Sequence, residues 1–226
     1  MAVKNCKFFK TESELQDYYT PISIAGFCWE QVTEPGPFIE PAAGGGSFLG
    51  WMPEDTIAYD VYPQDFGIMP TTDSLEEDWD NRIMVTNPPF RHTRKFITKA
   101  LENNEVCYLI MQPGLLLAGK LNSSLYLEKL LLFDMNGGRS KNLRSALPFY
   151  VNSTGEIKEM FACFAKFRKL RSGEQSNLPL TKKDARYNTG CFITDPFKAA
   201  VIPDYAEIVD VYEIIKDWEY EMPLAA

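Results

Sequence analysis

Residues 38–49 read Phe38-Ile39-Glu40-Pro41-Ala42-Ala43-Gly44-Gly45-Gly46-Ser47-Phe48-Leu49. Two apolar residues of strand character run into an acid, a proline and three consecutive glycines. Consecutive glycines let the backbone take positive φ and let a ligand approach where a Cβ would stand. In a doubly wound α/β fold, ligands sit outside the carboxyl ends of the strands, where this loop would lie. There is no Gly-x-Gly-x-x-Gly and no Walker lysine, which argues against a pyrophosphate ligand. Taken alone, a glycine triplet is a plain turn about as readily as a cofactor site.

The pattern on either side extends the same fold. Upstream, Thr20-Pro21 is a helix start, a capping hydroxyl followed by proline in the first turn. Ile22, Ala25, Cys28, Trp29 and Val32 then recur at helical spacing, and Pro35-Gly36-Pro37 stops the helix. Downstream, short strands are expected at 56–59, ending at Asp60, and at 82–86, ending at Asn87-Pro88-Pro89-Phe90. A helix over about 93–102 follows, with Phe96, Ile97 and Ala100 inward, and then a buried-type strand over 106–111. A helix is expected over much of 115–129 and a strand at 130–133. Residues 149–151 and 160–167 read as antiparallel strands around Ser153-Thr154-Gly155. Strands alternating with helices imply an α/β sheet, parallel at first, with a β-rich antiparallel end.

Composition sets the bounds. The chain has 226 residues, 45% apolar and 24% charged, long enough for one domain with a substantial core. Disordered, collagen-like and coiled-coil classes are excluded. No apolar run reaches the length of a membrane span, and the N-terminal residues lack a signal-peptide stretch, so a cytoplasmic protein is expected. The five cysteines (6, 28, 107, 163 and 191) are scattered and form no CxxC, which predicts free thiols and neither a zinc site nor a disulfide frame.

The Asn-Pro-Pro-Phe turn carries the chemistry. Its two prolines remove two N–H donors and fix two φ angles. What remains is a rigid, acceptor-rich turn: the Asn87 amide oxygen and the Asn87 and Pro88 carbonyls, with the Phe90 ring beside them. That set suits an exocyclic amine on a planar base. The oxygens accept its N–H bonds while the ring stacks on the base, worth about 1–3 kcal/mol. A nitrogen so held has a lone pair available for in-line attack on an electrophilic methyl group. Positioning and preorganised dipoles then supply the catalysis without a histidine or carboxylate base. The plainer reading is a rigid loop with a chance aromatic.

With both loops in place, the chain resembles the S-adenosylmethionine-dependent DNA N6-adenine methyltransferases, in the class with the cofactor loop first and the target-recognition region last. The resemblance covers roughly residues 18–112, and more weakly to 169. It implies an α/β, Rossmann-like methyltransferase fold with a mostly parallel central sheet and an antiparallel C-terminal part. Tyr18-Tyr19-Thr20-Pro21 is similar to the family's N-terminal segment, which closes over the methionine part of the cofactor. By the same resemblance Glu40, Pro41, Ala42, Gly44 and Gly46 hold the amino-acid moiety. Tyr59-Asp60-Val61-Tyr62-Pro63 is similar to the second motif, so that Asp60 would hold the ribose hydroxyls. Thr72-Asp73-Ser74-Leu75 is similar to the third, so that Asp73 would contact the cofactor's adenine amine. Val85-Thr86-Asn87-Pro88-Pro89-Phe90 is similar to the catalytic motif. Ser74 departs from the family, which often has an aromatic there, and the helix after Gly46 looks short, cut by Pro53. Residues 1–170 are then the catalytic domain and 171–226 a short extension, a reduced target-recognition region rather than an independent domain. A phage-encoded origin fits this economy.

Charge distribution points to the partner. The net charge is −8, yet residues 139–190 carry 11 Lys/Arg against 4 Asp/Glu. A basic block in an acidic chain is the pattern of a polyanion-facing surface; it is also that of a solvated face balanced by the acidic ends. Arg139, Lys141 and Arg144 in a glycine-flanked loop, and Lys166, Arg168, Lys169 and Arg171 beyond it, are candidate DNA-phosphate contacts, with Lys182, Lys183 and Arg186 a third group. Reaching Asn87 requires the target base to leave the duplex stack. His92 has no second histidine for a zinc pair. Cys28, Cys107, Cys163 and Trp29 read as core, and Glu76-Glu77-Asp78-Trp79-Asp80 as a solvated loop. Two other acceptors share the turn chemistry, an RNA base and a protein glutamine. An inactive cofactor- or DNA-binding protein is the alternative from another class.

Overall fold

Side-chain alternation along the strands decides the layers. A computed structural model describes residues 18–61, 73–116, 120–134, 147–151, 157–160, 162–178 and 206–215. Its main sheet comprises β2 (Phe38–Glu40), β3 (Ile57–Ala58), β4 (Ile83–Thr86), β5 (Val106–Met111), β6 (Leu125–Asp134), β9 (Cys163–Lys169) and β10 (Ala206–Asp210). Their order is β10-β6-β9-β5-β4-β2-β3. All neighbours are parallel except β9, which runs antiparallel to both β5 and β6. A smaller sheet joins β1 (Tyr18–Tyr19), β7 (Leu147–Val151) and β8 (Ile157–Met160), all antiparallel.

Successive residues of a strand face opposite sides, and both sides of this sheet are apolar. Ile83, Val85, Tyr108, Ile110, Leu131, Phe133 and Phe164 face the helix α1 (Ile22–Trp29) and the short α3 (Val211–Ile215). Met84, Cys107, Leu109, Met111, Leu130, Leu132 and Cys163 face α2 (Thr93–Asn103), which offers Phe96, Ile97, Ala100 and Leu101. Two covered faces explain why 106–111 reads as an unbroken apolar run. Cys28, Cys107 and Cys163 are free and buried, as expected; Cys6 and Cys191 lie outside the described residues. No described helix is long and apolar enough to cross a membrane.

Several expectations are corrected. Among the described residues of 115–129 there is no α-helix. Residues 113–116 and 120–124 form 3₁₀ turns, and Leu125–Asp134 is a ten-residue strand. Its β-branch-poor, leucine-rich sequence carries helix propensity, but burial between β9 and β10 overrides it. A bulge between Leu127 and Lys129 breaks the β6–β9 register. Asn177 satisfies the displaced backbone, accepting from the Leu127 N–H and donating to its carbonyl. The strand expected over 160–167 divides in two. Met160 ends β8 in the small sheet, and Cys163 begins β9 in the main one. The stretch after Gly46 is a run of turns, not a helix. Within the expected solvated loop, Trp79 is fully buried in the α2-side core, its indole donating to the Ser74 carbonyl at 2.8 Å.

Candidate active site

The strand order fixes where a ligand can enter. β2 has β3 on one side and β4 on the other, so connections leave in opposite directions and open a crevice at their carboxyl ends. Glu40 ends β2, Asp60 follows β3, and Asn87 follows β4. The sequence supplies a loop rather than further strand at each of these points: Pro41 and the glycines after β2, and two prolines after β4.

The glycine-rich loop is held from three sides. Gly44 and Gly46 take φ of +51° and +77°, a region that favours glycine. The Tyr19 ring lies against the loop so closely that a Cβ on Gly44 would stand 2.9 Å from it. Asp60 Oδ2 accepts from the Gly44 N–H at 2.7 Å. Ser47 donates its hydroxyl to the Thr20 carbonyl at 2.7 Å, and Ser74 donates to the Pro41 carbonyl at 2.7 Å. Tyr19 and Thr20, Asp60 and Ser74 therefore all converge on the loop at 41–47. Asp73 accepts from the Leu75 N–H and starts the 3₁₀ turn that carries Ser74. Val61 is half-buried next to Asp60.

Glu40 is the unusual charge. It is 1% exposed. Its Oε1 accepts from the Ala42 N–H at 3.1 Å and from the Thr86 hydroxyl. Burial raises its pKa to about 8, and the Asp60 charge adds to the rise; the Thr86 and Ala42 bonds oppose it. Glu40 and Asp60 thus share the crevice, close enough for the Asp60 charge to disfavour ionisation of Glu40.

At the Asn-Pro-Pro-Phe turn, Asn87 Nδ2 donates to Thr20 Oγ1 at 3.0 Å. Pro88 is buried and Pro89 half-buried. Phe90 is 8% exposed and packs with the α1-side core, so a stacked base would meet only its accessible edge. The Phe90 carbonyl accepts from the Thr93 hydroxyl at 3.0 Å, joining the turn to α2. Arg94, in the first turn of α2, donates to the Leu115 carbonyl at 2.5 Å and to Asn122, fixing the segment after β5. His92 is held below its ordinary pKa by burial and by the Lys95 and Arg91 charges.

The basic residues separate into two groups. Arg139, Lys141 and Arg144, with Lys182, Lys183 and Arg186, lie outside the described residues. Lys166 pairs with Glu34 at 2.7 Å and Glu128 at 3.0 Å, and Arg168 with Glu128 at 2.6 Å and Glu174 at 2.5 Å. Their charges are committed to the fold. Lys169 makes an exposed pair with Glu105 at 3.0 Å, a contact weak enough to exchange for a phosphate.

Residues that sequence reasoning passed over are Thr86, Ser47 and Ser74. The first adjoins the Asn-Pro-Pro-Phe turn, and the others lie within quoted motifs. Their adjacency to the motifs was the available signal; hydroxyls are too common to single out without partners.

No protein-family profile and no curated protein matches the chain by sequence. Solved structures do match. A proposed RNA methyltransferase from Pyrococcus horikoshii superposes with a TM-score of 0.50 at 18% identity, over 75% of this chain and 96% of that one. A modification subunit of a proposed type I restriction enzyme from Vibrio vulnificus gives 0.45 at 11% identity, over 80% of this chain and 54% of that one. A proposed class I S-adenosylmethionine-dependent methyltransferase from Listeria monocytogenes gives 0.45 at 11%, over 80% and 70%. The seven-stranded, mostly parallel sheet with its antiparallel β9 is a Rossmann-like methyltransferase fold.

Proposed function

We propose that this chain transfers a methyl group from S-adenosylmethionine to the exocyclic N6 of adenine in DNA. The observation that carries the reading is the position of Asn87. Its amide follows β4 at the switch-point crevice, with the nitrogen bonded to the segment that covers the glycine-rich loop.

The crevice fits the cofactor by its donor set: the buried Glu40 beside Asp60 suits an ammonium group. In this reading Glu40 and the 42–46 loop hold the amino-acid end, Asp60 the ribose hydroxyls and Asp73 the adenine amine. Tyr19, Thr20 and Pro21 cover them, and Pro41 and Val61 shape the walls. S-adenosylmethionine, when bound, supplies an electrophilic methyl group on sulfur.

The protein's own part is orientation. The Asn87 amide oxygen and the Asn87 and Pro88 carbonyls accept the N–H bonds of the target amine. They would turn its lone pair toward the methyl group and stabilise the positive charge that nitrogen gains as the N–C bond forms and the methyl–sulfur bond breaks, the sulfur leaving as a neutral thioether. The excess proton leaves through the same acceptors to solvent. Aligned reactants in a dry crevice account for several kcal/mol of barrier without a titrating base. The loop with Arg139, Lys141 and Arg144, together with Lys169, would hold phosphates around the extruded nucleotide.

The test is transfer of a labelled methyl group to unmethylated duplex DNA, single-stranded DNA, RNA and protein, each acceptor digested to its monomers. Label in N6-methyldeoxyadenosine supports the proposal. Label confined to RNA nucleosides or to glutamine keeps the chemistry and replaces the acceptor. Cofactor binding with no label anywhere makes the chain a binding protein on a methyltransferase fold.

A further inference from the structure

Thr20 precedes a helix-starting proline, where a threonine hydroxyl normally caps the helix at a gain of about 1 kcal/mol. Here α1 has no side-chain cap, and its N-cap position is Pro21. The Thr20 hydroxyl reaches across 67 residues of sequence to accept from Asn87 Nδ2 at 3.0 Å. Thr20 is 5% exposed, and its carbonyl is fixed by the Ser47 hydroxyl at 2.7 Å. The adjoining Tyr19 ring lies on Gly44 and Gly45. The threonine backbone therefore belongs to the cofactor loop, while its side chain belongs to the catalytic turn.

This contact has a chemical consequence. A side-chain amide has one donor arm and one acceptor arm. With Nδ2 turned to Thr20, Oδ1 occupies the other arm. A target amine needs an acceptor there; the flipped amide would oppose N–H to N–H. We propose that Thr20 is a positioning residue whose hydroxyl, bonded to Nδ2, holds the Asn87 amide in place at the end of β4, so that seating of residues 19–21 on the glycine-rich loop couples the cofactor site to catalysis. The proposal rests on the methyl-transfer reading above.

Thr20→Val keeps the branched shape and removes the oxygen, and Thr20→Ser restores it. Thr20→Val is expected to lower kcat about 10- to 100-fold, the scale of a misoriented catalytic group, with acceptor KM and cofactor Kd within about threefold of wild type. Thr20→Ser is expected to return kcat to within about threefold of wild type. A second readout needs no cofactor. In the ¹⁵N spectrum, the side-chain NH₂ pair that vanishes in Asn87→Ala should shift in Thr20→Val and stay in place in Thr20→Ser. Thr20→Ala serves the same comparison where Thr20→Val loses its thermal transition. Wild-type kcat in Thr20→Val, equal loss in Thr20→Ser, a loss confined to cofactor Kd, or an unmoved NH₂ pair each overturns the positioning role. A wild-type chain that methylates no acceptor removes the transfer reading and this proposal together; an active wild type with an unaffected Thr20→Val removes only the latter.

Discussion

Two carboxylates in this molecule, Glu40 and Glu34, are shifted in opposite directions. In the crevice, Glu40 is buried beside Asp60, with Thr86 and Ala42 as its donors, and rises to about 8. At the other end of α1, Glu34 accepts from Tyr108 and pairs with Lys166, and its pKa falls. Burial works to raise it, but the Lys166 and Tyr108 bonds prevail. Beyond the sheet, the Arg168 guanidinium bonded to Glu174 holds that carboxyl down at about 2. Lys166 in turn rises despite burial, because Glu34 and Glu128 hold its proton. The network around Lys166 is internally compensated, and it ties the loop after α1 to β5, β9 and the β6 bulge. At Glu40 desolvation prevails over two hydrogen bonds, whereas at Glu34 a cation and a phenol prevail over desolvation.

The largest effect is expected at the catalytic turn. Asn87→Ala should lower methyl transfer by about 10³-fold or more while cofactor affinity stays within a few-fold. Retention of transfer in that variant would move the chemistry elsewhere.

Glu40 comes next, through pH. Its folded-state value of about 8 lies above the ordinary 4.5. Between those values the folded chain holds a proton that the unfolded chain has lost, so stability falls as pH rises across the window and levels off above it. Glu40→Gln removes that slope. The cofactor-free variant should match wild type in thermal melts near about pH 4.5 and exceed it by about 2–4 kcal/mol near about pH 8.5. Parallel pH profiles for the two proteins would mean that Glu40 is already compensated. The same variant should lose cofactor affinity, because the ammonium loses its counter-charge.

Asp60→Ala should weaken cofactor binding by about 10- to 30-fold, removing both the ribose acceptor and the Gly44 N–H partner. Calorimetry with unchanged affinity would place the cofactor away from β3. The smallest effect is expected in the compensated network. Lys166→Met leaves the half-buried Glu34 without its cation and Glu128 with Arg168 alone, and should cost about 1–3 kcal/mol in denaturant unfolding with kcat within about twofold. Lost kcat without lost stability would join the two regions that the pKa directions separate.

Much of the site was legible because its residues are local in sequence. Glycines at 44–46, prolines at 88 and 89 and an acid after β3 mark strand ends by backbone chemistry alone. Trp79 was misread because its neighbours are acids, and only the packing of 74–79 under the loop buries the ring. Residues 115–129 were misread because leucine-rich stretches suit a helix or a central strand, and neighbouring strands decide between them. The basic cluster at 166–171 reads as a polyanion surface in one dimension. In three, Lys166 and Arg168 face glutamates up to 132 residues away in sequence, as with Lys166 and Glu34.

Turn chemistry and side-chain periodicity act within a few residues, so the strand ends from β2 to β5 and the motifs that follow them were legible in the chain. Tertiary structure alone decided the partners. It set Thr20 on Asn87 rather than on its own helix, Glu40 beside Asp60, and Lys166 between two glutamates. Hydrogen bonds and desolvation depend on distances across the sheet, and pairing of β2 with β3 and β4 sets those distances.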